Sequence, residues 1–381
     1  MRSPMADKRL LGLLLAGAIL AAGPAAACPF CGVVSAPLAR QRDDAGLVCI
    51  GEATGPASPD AQGLLAAPFR VLQVLPRRRP ATIDAPVSVT ARVSGPVVGT
   101  AVLLASADEP PRWKGVAADE GVLAYVVSAP DTELSAADRL AWFARRLEHP
   151  EPVIAEDAFA EFALAPYRDV RAAAEALATR PLAAWVADPG IDQRRRGFYG
   201  LALGIIAAAR LPAERPASST PLREALASAA GDFRAGSDGL MAGILVADGG
   251  EGLDWLLERA GPERPVDQRQ LLAALRFAHE ELAESLPAGA VEAATATLAR
   301  SAAVAADAIV DLARLGAWGE IDSVAAWWDR AAEDPLIRRA VAGYLLACPE
   351  PEARRQLEEI ERRDPKGLAR ARAAVGLPLG Q

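Results

Sequence analysis

The hydrophobic and polar positions of this chain change period once, near residue 130. Between residues 46 and 128 the apolar residues come in short runs: "GLVCIGEA", "APFRVLQVL", "APVSVTARV", "VVGTAVLLAS" and "GVLAYVVSA". They are rich in Val, Leu and Thr and are parted by Pro, Gly, Asp and Arg. "FRVLQVL" and "VSVTARV" alternate at period two, which gives each one buried and one exposed face. No helical pattern separates the runs. The prediction is a small antiparallel barrel or sandwich rather than a parallel sheet.

From Thr132 the period is helical. "TELSAADRLAWFARRLEH" opens with Ser135 three before Asp138, a capping-box spacing, and puts Leu140, Phe143 and Leu147 on one face. Helical patterns then run almost to the end, broken by Pro and Gly. They repeat. "EPVIAEDAFAEFALAP" (151–166) aligns without a gap on "DPLIRRAVAGYLLACP" (334–349), and "DPGIDQRRRGFYGLAL" (188–203) begins the same way. "ERPVDQRQLLAALRFA" (263–278) falls near the same phase, with glycine-rich breaks such as "VADGGEGLDW" disturbing it between about 210 and 320.

The starts at 151 and 188 lie 37 apart, and those at 188 and 334 nearly four times that. A degenerate period of this length, two helices per unit, predicts an α-solenoid. Each acidic-Pro step ends one helix and starts the next, because proline is tolerated only in a first turn. Pro152, Pro189 and Pro335 are therefore expected at or near helix N-termini. Ile154, Phe159 and Phe162, and in the matching repeat Ile337, Val341 and Leu345, are expected to be buried, each set against a neighbouring helix.

Composition adds a compartment. Of 381 residues, 51% are hydrophobic and 24% charged, enough for a sizeable core. Arg2, Lys8 and Arg9 precede an apolar stretch from Leu10 to Ala22, which Gly23 and Pro24 break before Ala25-Ala26-Ala27. That is a secretory signal, too short for a span of roughly 20 residues. "GLALGIIAAA" (200–209) is the nearest later approach to a span and is too short. The domains expected are a signal peptide at 1–27, a β domain at 28–131, a helical repeat domain at 132–376 and a tail at 377–381. The protein is then periplasmic or secreted, with no transmembrane segment after cleavage; a lipid on Cys28 is the minority alternative, since Ala25 stands where lipoprotein signals favour Leu. The net charge is −8 and excludes a general nucleic-acid binder, with "PRRRP" and "DQRRRG" read as solvated loop or helix start.

Candidate chemistry is sparse. His149 ends a helix, and His279 in "FAHEELAE" lacks the second histidine of a zinc motif, because residue 283 is Ala. Most carboxylates read as solvated faces paired with arginines. The adjacent Trp327 and Trp328 cannot share one core face, so one ring is expected outside. Catalytic, metal and cofactor sites are expected to be none.

The cysteines remain. Cys28 and Cys31 have no histidine after them for a haem, and only Cys49 is near enough to add a zinc ligand. A thioredoxin-type site needs a strand before the motif. The disulfide candidates are therefore Cys28, Cys31 and Cys49, with one of the first two linked to Cys49 as a staple and Cys348 free in a helix end.

The first two cysteines, "DDAGLVCIGEAT" and "FRVLQVL" resemble the netrin-like module, an OB-type barrel found in tissue inhibitors of metalloproteinases, with Cys28-x-x-Cys31 in place of that family's Cys-x-Cys. "DPLIRRAVAGYL" resembles a HEAT repeat. Through "CPFCG", "FRVLQVL", "LAWFARRLEHPEPVIAEDAFAEFALAPY" and "YLLACPEPEAR", nearly the whole chain resembles a group of uncharacterised secreted bacterial proteins. Those join an N-terminal Cys-Pro-Phe-Cys, a small β domain and a HEAT-like helical region. The fold class implied is α+β multidomain. The function expected is a non-enzymatic extracytoplasmic binding or scaffold protein that offers its solenoid surface to a protein partner. The alternatives are a netrin-like inhibitor module using the amine of Cys28, and a thiol-disulfide oxidoreductase using Cys28 and Cys31.

Overall fold

The computed structural model describes residues 28–32, 34–75, 84–178, 180–210, 215–228, 236–261 and 263–375. The expected signal peptide and the tail lie outside them, as does "PRRRP". A short helix α1 (Leu38–Asp44) leads into six strands: β1 (Leu47–Ala53), β2 (Ser58–Pro59), β3 (Leu65–Val74), β4 (Ser88–Arg92), β5 (Thr100–Ala105) and β6 (Trp113–Ala117). Five of them close a barrel in the order β1–β5–β6–β4–β3 and back to β1, with β2 paired only to β3. All neighbours are antiparallel except β4 and β6, which are parallel and meet at a single pair, Arg92 and Lys114.

The barrel has two apolar surfaces. Leu47, Cys49, Phe69, Ala91 and Leu103 fill its interior. The opposite faces of β1 and β5, with Val48, Val102 and Leu104, belong to the larger core shared with the helices. That is why β5 is buried from Ala101 to Ala105 without alternation: a strand covered on both faces has no polar side to show.

Two elements differ from the sequence expectation. "GVLAYVVSA" is not a strand but helix α2 (Glu120–Ser128). The Asp119 side chain caps it by accepting from the Val122 N–H, and Val122, Tyr125, Val126 and Ala129 are buried at helical spacing. Its β-branched residues hid that stripe. The last barrel strand is instead "WKGVA", too short and mixed to announce itself.

Among the described residues no strand follows β6. The helices are α3 (Ala136–Ala144), α4 (Pro152–Ala163), α5 (Tyr167–Ala172), α6 (Ala174–Ala178), α7 (Leu182–Ala187), α8 (Gln193–Ala208) and α9 (Arg215–Ser228). They continue as α10 (Ser237–Arg259), α11 (Pro265–Glu281), α12 (Ala290–Leu298), α13 (Ala305–Leu315), α14 (Ile321–Ala325) and α15 (Trp327–Arg330). The last three are α16 (Pro335–Ala347), α17 (Pro351–Arg363) and α18 (Pro365–Ala374). Ser135 caps α3 as expected, and Pro152 and Pro335 open α4 and α16. Pro189 lies in the turn before α8, whose cap is Asp192. Ile154, Phe159, Phe162, Ile337, Val341 and Leu345 are all buried.

Trp327 and Trp328 are both buried, contrary to expectation. The helix breaks between α14 and α15, and the segment is packed on two sides. Trp327 Nε1 donates to the Ala299 carbonyl, while Trp328 lies under the Arg338 guanidinium of α16. A helix held between two neighbours has two core faces, and the one-face argument fails.

Helices α8 and α10 cross with their backbones in contact. Gly197, Gly200 and Gly204 face Gly236, Gly239 and Gly243, the same G-x-x-G-x-x-x-G spacing on both sides. A Cβ built on Gly200 would stand 2.8 Å from the Leu240 Cα, and one on Gly204 would collide with the Gly243 carbonyl. "GLALGIIAAA", the nearest approach to a membrane span in the sequence, is this crossing. Among the described residues no helix is long and apolar enough to cross a membrane.

Candidate functional site

Cys28 and Cys31 are bonded to each other, and Cys49 and Cys348 are free and buried. This corrects the expected link to Cys49. The Cys49 thiol points into the barrel interior with Phe69 and Leu103, and burial raises it to about 11. Cys31 belongs to the other core, under the helices. Two cysteines on opposite sides of a strand layer cannot meet.

The Cys-Pro-Phe-Cys turn is docked on the helical region. The Cys28 N–H donates to the Ala163 carbonyl at the end of α4. Phe30 is buried and meets Phe277 of α11 edge-on, centroids 5.4 Å apart; Tyr167 meets the same ring at 5.1 Å. The disulfide thus closes a tight turn whose tip is an apolar plug. A narrow crevice beside it is walled by Tyr167, Phe198 and Phe277, with Glu280 and Glu281 at its mouth.

A second constellation joins the barrel side to the helices. Asp157, on α4, accepts from the Leu38 N–H and the Tyr125 hydroxyl, both at 2.6 Å. One turn later, Glu161 accepts from Arg139 and lies 3.6 Å from Arg40. One face of α4 therefore holds α1, α2 and α3 together. Burial raises the Asp157 carboxyl above its ordinary range despite those donors, and it does the same to Glu161 despite two arginines. Arg42 completes the joint by donating to the Val126 and Ala129 carbonyls. Sequence reasoning passed over these acids as solvated. A signal existed: in the gapless alignment Asp157 falls opposite Ala340 and Glu161 opposite Tyr344, charged residues at core positions of the repeat.

A third network ties α8 to the α3–α4 turn. Glu148 has φ 54°, in the left-handed region uncommon for a residue with a side chain. Its carboxylate accepts from Arg195 and, at 2.7 Å, from the Tyr199 hydroxyl. Glu156 takes both Arg194 and Arg195. The His149 ring beside it is exposed, its Nδ1 accepting from the Glu151 N–H, and His279 sits in the last turn of α11.

Between barrel and helices lies a cleft of about 730 Å³. Its barrel wall is β6 from Lys114 to Ala117 and the loop from Ser94 to Val97; its helical wall is the first half of α4 with Arg194. The size suits a ligand or a peptide segment. Lys114 Nζ reaches the Gln41 side-chain oxygen at 2.7 Å, and burial lowers its affinity for a proton. Among the described residues no group of three His, Cys, Asp or Glu is placed to hold a metal ion.

Comparison with protein-family models, with curated proteins and with solved structures finds no match to this chain.

Proposed function

We propose that the chain is a non-enzymatic extracytoplasmic binding or scaffold protein, whose helical array offers its surface to a protein partner. The observation that carries this reading is the order of helix packing. Contacts run between helices close in sequence, α8 on α10, α10 on α11, α11 on α13, α13 on α16 and α16 on α18. That order supports an α-solenoid of HEAT-like hairpins, in which stacking creates one extended face. The barrel's strand order supports an OB-type, netrin-like module, a five-stranded Greek-key barrel.

The competing readings fit the Cys-Pro-Phe-Cys turn less well. An inhibitor of the netrin type needs the Cys28 amine turned outward, whereas here that nitrogen donates to Ala163. An oxidoreductase needs a stabilised thiolate, and such thiolates sit at helix N-termini or beside cations. Cys28 and Cys31 lie in a turn, with Glu280 and Glu281 at the adjoining crevice. The geometry favours a staple.

Photocross-linking in intact cells from exposed positions on α16, such as Leu336 and Leu346, tests the scaffold reading. The expected result is one recurring protein adduct, whose purified form loses affinity for a Leu346→Glu variant by about tenfold, or 1.4 kcal/mol. Adducts from barrel positions alone, or insulin-disulfide turnover by the purified chain, would overturn it.

A further inference from the structure

The barrel closes through long ladders of β1 with β3 and β5 but only weakly at one seam, between β4 and β6. β6 pairs with β5 along its length, and its hydrogen-bonded partners there are the even-numbered residues, as the bond from the Ala118 N–H to the Thr100 carbonyl fixes the register. The backbone groups of Trp113, Gly115 and Ala117 therefore turn the other way, toward β4. That strand meets β6 only at Arg92 and Lys114. Beyond that pair the Gly115 carbonyl and the Ala117 N–H have no ladder partner among the described residues, and the interdomain cleft opens directly over them. A bare strand edge inside a cleft is a template for another strand.

The charge of the cleft narrows the occupant. Arg194 is compensated by Glu156 and Asp192. Asp157 turns its oxygens inward to Tyr125 and Leu38. Lys114 is different: its ammonium meets the neutral Gln41 amide and no carboxylate within ion-pairing distance among the described residues. Asp157 lines the same cleft and attracts it only from beyond that distance, so Lys114 is the cleft cation without an ion pair beside the free edge.

We propose that the cleft takes an extended acidic peptide segment of a partner protein, added as a strand along the free edge of β6 with a carboxylate on Lys114. The pleat sets its pattern. Residues on the Lys114 face are acidic, and those between them, turned toward Val97 and the barrel interior, are small and apolar. The inference deepens the binding reading, but it uses a different surface from α16, so either can fail alone.

A library of acetylated nine-residue peptides, selected on the full chain, tests it. The expected pool alternates Asp or Glu with Ala or Val. Selection on Lys114→Glu should turn the acidic positions basic, and Lys114→Met, which guards against a folding defect in the charge reversal, should weaken an acidic peptide by about tenfold. N-methylation of alternate amides along one edge of the peptide should abolish binding, while the other edge tolerates it. Exchange of the Ala117 amide should slow in the complex. An empty pool, a pool unchanged by Lys114→Glu, equal tolerance of N-methylation on both edges, or displacement by equimolar glutarate would each overturn strand addition.

Discussion

Phe30 shows how one residue fixes the path of a segment. It is a single ring in a four-residue turn, yet it is buried against Phe277 and its flanking cysteines hold the turn shut. Phe30→Ala should cost about 3–5 kcal/mol, read as a shift of the urea midpoint. Leu345→Ala, on the aligned helix of the later repeat, should cost about 2–5 kcal/mol for the same reason. Asp157 belongs to a different case. Burial raises its folded pKa, so the unfolded chain ionises first. The penalty is absent below the unfolded value of about 4 and grows as pH rises toward the folded value. Asp157→Asn removes that penalty, and its amide can still accept from Leu38 and donate to the Tyr125 oxygen. Urea titrations from pH 4 to 8 should show the variant losing less stability with rising pH than the wild type; parallel curves would place the charge elsewhere.

Among the elements, the α8–α10 crossing sets the geometry of the middle of the array. Backbones touch there because no Cβ stands between them. Gly204→Ala or Gly243→Ala must push the helices apart, and each should cost at least the ~1–3 kcal/mol of an overpacked core. Gly343→Ala is the control. It lies in α16 with nothing nearer than Val375 at 3.9 Å, so helix propensity should make it neutral or stabilising by about 0.5–1 kcal/mol. Thermal melts of the three variants decide it, and equal losses would mean that close approach is not what the glycines serve. This spacing was present in the sequence, repeated 39 residues on, but "GLALGIIAAA" was weighed only for hydrophobic length. The α2 helix escaped for the opposite reason. Val and Tyr suit either a strand or a covered helix, and periodicity over nine residues cannot choose between them.

For the whole molecule, one core crosses from barrel to helices. Val48, Val102 and Leu104 from the strands share it with Tyr125, Phe143 and Phe159. The barrel should therefore unfold together with α1–α4 rather than as a separate module. Hydrogen exchange should give β1 and β5 the same opening free energy as α4, and Phe143→Ala should lower both alike. Protection of β1 and β5 left intact by that substitution would make the barrel an independent unit.

The sequence by itself determined the change from strands to helices, four of the five barrel strands, the cap at Ser135, the helix starts at Pro152 and Pro335, and the buried stripes that begin at Ile154 and Ile337. These follow from spacing along one segment, which local chemistry writes directly. Only the tertiary structure decided that Cys28 pairs with Cys31, that both Trp327 and Trp328 lie inside, that Asp157 and Glu161 are structural, and that β6 has a free edge over a cleft. Each of these depends on which distant surface comes to lie opposite. Burial, pairing and the shift of a carboxyl are set by both partners of a contact, and a single segment carries only one of them.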